Sequence, residues 1–61
     1  MKHYYFFDDN IYFMNKKQPP RKTELFNINI DMESKIYTGY DEDGNYYRLH
    51  LDNYPLIIEG D

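Results

Sequence analysis

The chain has 61 residues, no cysteine, a net charge of −4 and twelve Tyr and Phe rings. It is one small domain that cannot use disulfides, and a chain this short buries only about 60% of the surface its unfolded form exposes, so stability has to come from the rings or from association. Two histidines without cysteine leave little for a structural zinc site, and the longest apolar run, Tyr4–Phe7, is far short of a membrane span.

Strand-like alternation dominates the chain and the helical period is nearly absent. Lys2–Phe7 and Ile11–Asn15 predict a first hairpin turning at Asp8-Asp9-Asn10. This ribbon, His3–Asn15, is apolar on both faces, because successive strand side chains point to opposite sides. One side can close over the domain's own core; the other needs a cover. Tyr4, Phe6, Tyr12 and Met14 are the expected self-association residues, and a homodimer the expected assembly. The competing reading is that another segment of the same chain folds over that side.

Residues 16–23 read as a loop, since Pro19-Pro20 cannot donate ladder hydrogen bonds and imposes an extended course. Strand three, Glu24–Met32, has the cleanest alternation: Phe26, Ile28, Ile30 and Met32 on one side, Leu25, Asn27, Asn29 and Asp31 on the other. A three-residue loop, Met32-Glu33-Ser34, with a bulge would set Ile30 beside Ile36. Ile36–Asp41 and Tyr46–Leu51 form the next hairpin, because Asp-Gly supplies the positive φ angles of a tight turn. Centring that turn on Asp43-Gly44 pairs Tyr40 with Tyr47, Thr38 with Leu49 and Ile36 with Leu51 as the core face. The same register puts Tyr37, Tyr46, Arg48 and His50 on the outer face. Leu56–Ile58 reads as a short edge strand, and a helical turn is conceivable near Asp31–Ile36 or Asp52–Tyr54.

The expected fold is all-β: a small antiparallel meander of five to six short strands, either a curled sheet or small barrel, or an open sheet completed by dimerisation. Residues 1–61 make a single domain. There is no signal-peptide pattern, and with no cysteine a cytoplasmic location is expected.

Chemistry-bearing patterns are sparse. Asp41-x-Asp43-Gly44-Asn45 resembles the start of an EF-hand loop. However, Tyr46 stands where that loop needs glycine and Asp52 where it needs a bidentate Glu, so a hairpin turn is the better reading. Ser34 is the sole serine, and neither His3 nor His50 has a nucleophile or orienting acid at a local spacing. A non-enzymatic protein without metal or cofactor is expected.

Charge is segregated. Lys16, Lys17, Arg21 and Lys22 lie together without an acid among them, and the remainder carries −8. An acidic body discourages phosphate backbones and favours basic partners. Tyrosine and arginine are enriched at interface hot spots. Asp41, Glu42, Asp43, Tyr46, Arg48, His50 and Tyr37 are therefore the expected partner-binding residues, and the expected function is that of an inhibitor or adaptor occluding a basic protein surface. In size and charge, though in no motif, the chain resembles small acidic proteins of phages and mobile elements. Two alternatives remain: a small β-barrel binding single-stranded nucleic acid through Tyr46, Arg48, His50 and Tyr37 with Lys16–Lys22 on phosphates, and a structural homo-oligomer component.

Overall fold

A computed structural model describes all 61 residues, Met1–Asp61. Seven strands form: β1 Lys2–Asp8, β2 Tyr12–Phe13, β3 Lys16–Lys17, β4 Arg21–Asp31, β5 Ile36–Tyr40, β6 Tyr46–His50 and β7 Ile57–Gly60. Five of them make one sheet in the order β6-β5-β4-β1-β7, with every neighbouring pair antiparallel, and β2-β3 is a separate two-stranded ribbon. The all-β antiparallel class matches the sequence expectation. The sheet is open, with β6 and β7 as free edges, and does not close into a barrel.

The expected first hairpin does not form. At Asp8–Asn10 the chain leaves the sheet, with the Asn10 amide donating to Asp8 Oδ1 at 3.0 Å. It then makes a smaller hairpin, with Tyr12 opposite Lys17 and Phe13 opposite Lys16. Met14 and Asn15 both have positive φ, 51° and 62°, as a two-residue hairpin turn matched to strand twist requires. Pro19-Pro20 leads back so that Arg21 pairs with Asp8, and β1 pairs with the first part of β4, from Asp8↔Arg21 to Tyr4↔Leu25. The expected loop 16–23 is thus split: Lys16–Lys17 are β3, Gln18–Pro20 connect, and Arg21 onward is β4. A short ribbon with a local turn satisfies its own backbone groups, while the eleven-residue β4 pairs with β1 through Arg21–Leu25 and with β5 through Phe26–Asp31.

Two irregularities decide which side chains face inward. In β4 the register slips between Phe26↔Tyr40 and Asn29↔Thr38, so Asn27 and Ile28 together oppose Gly39. Asn27 takes the left-handed conformation at φ 54°, which asparagine tolerates better than most residues. The bulge resets the alternation: Leu25 is buried before it and Ile28 packs inward after it. Phe26, expected beside Ile28, faces out.

The second irregularity is the β5–β6 turn. Tyr40 pairs with Tyr46, Gly39 with Tyr47, Thr38 with Arg48, Tyr37 with Leu49 and Ile36 with His50. This is one residue away from the expected register, and a one-residue slip exchanges the faces. Tyr37, with Tyr47 and Leu49, lies inside; Tyr40 and Ile36 lie outside with Tyr46, Arg48 and His50. The β4–β5 connection also differs. Asp31 pairs with Ile36, leaving a four-residue turn, Met32–Lys35, in which Lys35 has φ 60° and Asp31 Oδ1 accepts the Glu33 amide at 3.0 Å.

The core lies on one side of the sheet. Phe6, Leu25 and Tyr37 are fully enclosed, at 1%, 2% and 0% exposure, and Ile28, Tyr47, Leu49, Leu51, Tyr54 and Leu56 pack around them. The last three belong to the connection between β6 and β7, which joins opposite sheet edges and lies over the inner face. It starts with one turn of helical type, the Tyr54 amide donating to the His50 carbonyl at 2.9 Å. Tyr54 sets its ring edge-on to Phe6 at 5.9 Å and donates its hydroxyl to Asp9 Oδ1 at 2.9 Å. The acidic break Asp8–Asn10 therefore anchors the crossover instead of turning a hairpin. No helix long and apolar enough to cross a membrane is present.

Candidate protein interface

The Asp41–Asn45 turn is held by one carboxylate. Asp41 Oδ1 accepts the Asp43 and Asn45 amides, each at 2.9 Å. Its Oδ2 accepts the Asn45 side-chain amide at 2.9 Å and the Tyr47 hydroxyl at 3.1 Å. The Gly44 amide returns to the Asp41 carbonyl at 3.1 Å, and Gly44 takes φ 83°. These bonds, the Asn45 side-chain amide foremost, hold the Asp41 carboxyl below the usual carboxylate range. Burial, followed by the bond to Asp41, pushes the Tyr47 hydroxyl up. Asp41 is thus the frame of the turn, while Glu42 and Asp43 stand exposed at its tip.

Below the turn the outer sheet face carries an aromatic row. The pairings Tyr46↔Tyr40 and Tyr40↔Phe26 set three rings side by side across β6, β5 and β4. Tyr46 is 58% exposed, the other two 42% each, and the Tyr40 and Tyr46 rings lie 5.3 Å apart. The next row is Arg48, Thr38 and Asn29, and the third His50, Ile36 and Asp31. His50 Nδ1 accepts the Asp52 amide at 3.1 Å, and Asp52 Oδ2 lies 3.8 Å from the same nitrogen.

The other half of the outer face carries polar contacts across β1, β4 and β7, with Phe7 exposed beside them. Lys22 Nζ lies 4.5 Å above the Tyr5 ring and 2.6 Å from Glu59 Oε2, and His3 Nδ1 lies 2.6 Å from Glu24 Oε2. A cleft of about 350 Å³ separates the turn from β1 and β4, lined by Asp8, Arg21, Lys22, Asp41, Asp43 and Tyr47 among others. Arg21 and Lys22 therefore face the turn's acids across this cleft, yet neither forms an ion pair with them.

Of the expected partner-binding residues, Glu42, Asp43, Tyr46 and Arg48 come together at one end of one hairpin. His50 lies on the same face two positions farther on. Asp41 is spent on the turn, and Tyr37 is removed altogether, as the most enclosed side chain of the core. Tyr40 and Phe26 were missed. The available signal was Asp41 with Gly44 three residues later, the preferred ends of a type I turn; that turn, continued by a left-handed glycine, gives the three-residue loop that moves Tyr40 outward.

Two of the expected self-association residues are also reassigned: Phe6 is in the core and Tyr4 is half-buried on the same inner face, whereas Tyr12 and Met14 are exposed. No group of three or more His, Asp or Glu side chains gathers as a metal site. Asp52, the twelfth position of the EF-hand-like pattern, lies at the opposite end of β6, about 17 Å along the strand.

Comparison of the chain with protein-family models, with curated proteins and with solved structures finds no match.

Proposed function

We propose that this chain is a protein-binding module without catalytic function, an inhibitor or adaptor that occludes a basic surface of a protein target. The observation that carries this reading is the Tyr46–Tyr40–Phe26 row at the foot of a turn locked by Asp41. Three exposed rings supply the apolar centre of a contact, and Arg48, Glu42 and Asp43 its polar rim. The ladder and the Asp41 bonds hold the site before binding, so little ordering entropy is lost on docking. The unpaired carboxylates of Glu42 and Asp43 would meet Lys or Arg on the target; if that target handles nucleic acid, they stand where phosphates would. The small acidic chain is in keeping with inhibitors of phage or mobile-element type.

Affinity capture from the source cell tests this. The native chain recovers a protein with a basic contact surface, and both Glu42→Lys/Asp43→Lys and Tyr46→Ser lose it. Retention of the same partner by both variants overturns the assignment.

The aromatic row also favours a second reading, single-stranded nucleic acid stacked on Tyr46, Tyr40 and Phe26. Against it, Arg48 is the single cation in the β5–β6 hairpin, residues 36–50, and Glu42 and Asp43 repel phosphates. Salt-sensitive oligonucleotide binding that is lost in Tyr46→Ser would establish it in place of the first.

A further inference from the structure

The β2–β3 ribbon is an arm that packs against no other strand. Its tip carries Tyr12, Phe13 and Met14 at 61%, 67% and 82% exposure. Directly paired residues share a face, so each face of the arm presents one ring and one ammonium group: Tyr12 with Lys17 on one, Phe13 with Lys16 on the other. Residues 11–18 carry +2 in a chain of net charge −4, leaving −6 on the rest. The arm is thus complementary in charge to its own body.

At the root of the arm lies an open groove of about 380 Å³, lined by Phe7, Pro20, Tyr54, Pro55 and Ile57 together with the polar Asp9 and Asn53. An apolar cavity of about 150 Å³ already accepts a benzene ring, so this groove has room for a phenylalanine ring and a methionine side chain. Asp9 uses Oδ1 for the Tyr54 hydroxyl, and no protein group bonds its second oxygen.

We propose that the occupant of the groove is the arm of a second copy, with Phe13 and Met14 entering it and Lys16 meeting Asp9, in a reciprocal two-fold dimer. Groove and arm share a root, since Asp9 and Pro20 flank residues 11–18. A two-fold axis at that root therefore carries each arm across the other copy's groove and buries both arms at once, a self-complementary contact. The proposal uses a surface separate from the Tyr46–Tyr40–Phe26 row and is independent of the function proposed above.

Sedimentation equilibrium from micromolar to millimolar concentration tests it. The expected mass is twice that of the chain, and dissociation increases with salt. Phe13→Glu and Lys16→Glu alter exposed residues and leave the fold intact by circular dichroism; each weakens the dimer by about tenfold or more. Asp9→Lys weakens it as well, and mixing Asp9→Lys with Lys16→Glu restores a mixed dimer in which both contacts have opposite charges. A monomer at millimolar concentration overturns the proposal. So does a dimer unaffected by Phe13→Glu and Lys16→Glu, or failure of two folded charge-swap variants to associate.

Discussion

The Tyr37 hydroxyl donates to the Tyr54 backbone carbonyl at 2.6 Å, tying the most enclosed ring of the sheet to the segment that covers it. That bond lets a ring read from sequence as an outer-face contact sit in the core without an unsatisfied polar atom. Tyr37→Phe removes the donor and strands the carbonyl. A loss of about 1–3 kcal/mol is expected, read as a lowered midpoint in thermal or urea unfolding. An unchanged midpoint would mean that the crossover is held by packing alone.

Alkaline pH should destabilise the fold. Burial pushes the Tyr37 hydroxyl up to about 12, with the neighbouring Tyr54 adding to the shift. The unfolded chain ionises at about 10, so above that pH it binds fewer protons than the native state and stability falls with rising pH. The contribution is fully present below pH about 10 and is lost as pH climbs toward 12, on the order of 2 kcal/mol. Urea midpoints at pH 8, 10 and 11.5 check this, and Tyr37→Phe should flatten the decline.

Gly39 is fixed by the bulge opposite it. A Cβ there would lie 3.2 Å from Leu25 Cβ, 3.2 Å from the Phe26 carbonyl oxygen and 3.3 Å from Ile28 Cδ1. All three belong to β4, and the first two, a Cβ and a backbone oxygen, cannot easily give way. Gly39→Ala should cost about 1–3 kcal/mol. By contrast, Asn27→Gly should be tolerated, because the site already has positive φ. Comparing the two melting curves separates a shortage of space from a backbone preference.

Phe6→Ala opens a cavity beneath Tyr54 and Tyr47, whose rings lie 5.9 and 5.2 Å from Phe6. Such truncations cost about 3–5 kcal/mol, most of what a domain of this size holds. The expected result is loss of cooperative unfolding at 25 °C. Survival of a sharp transition would show that the crossover collapses into the space.

Glu42→Lys/Asp43→Lys and Tyr46→Ser change exposed residues that hold no hydrogen bond through their side chains. Their melting points should stay within about 0.5 kcal/mol of the native chain in stability terms while target capture is lost. A parallel fall in both measurements would assign these residues to folding instead.

Strand content was legible in the sequence because period-two alternation and turn residues are local signals. The strand expected at Glu24–Met32 occurs as Arg21–Asp31, and the Asp-Gly turn occurs one residue of register away from its expected centre. The partner of β1 was not legible: Ile11–Asn15 and Arg21–Leu25 offer ladders of equal length, and the choice rests on long-range contacts such as Asp9 being bound by Tyr54, forty-five residues away. The candidate site was half legible. Glu42, Asp43, Tyr46 and Arg48 keep the surface positions their chemistry implied, whereas Tyr37 and Tyr40 exchanged faces through a single residue of register.

From its sequence alone the protein is an acidic, aromatic-rich, antiparallel β domain, since composition and alternation act residue by residue. Which face of each strand is inside was decided only in the tertiary structure. The bulge at Asn27 and the Asp41 turn each shift a strand by one position, and side-chain direction in a strand inverts with every such step. Which apolar surface stays exposed was decided there too: the crossover covers Phe6 with Tyr54 but leaves the Tyr12–Lys17 arm in solvent.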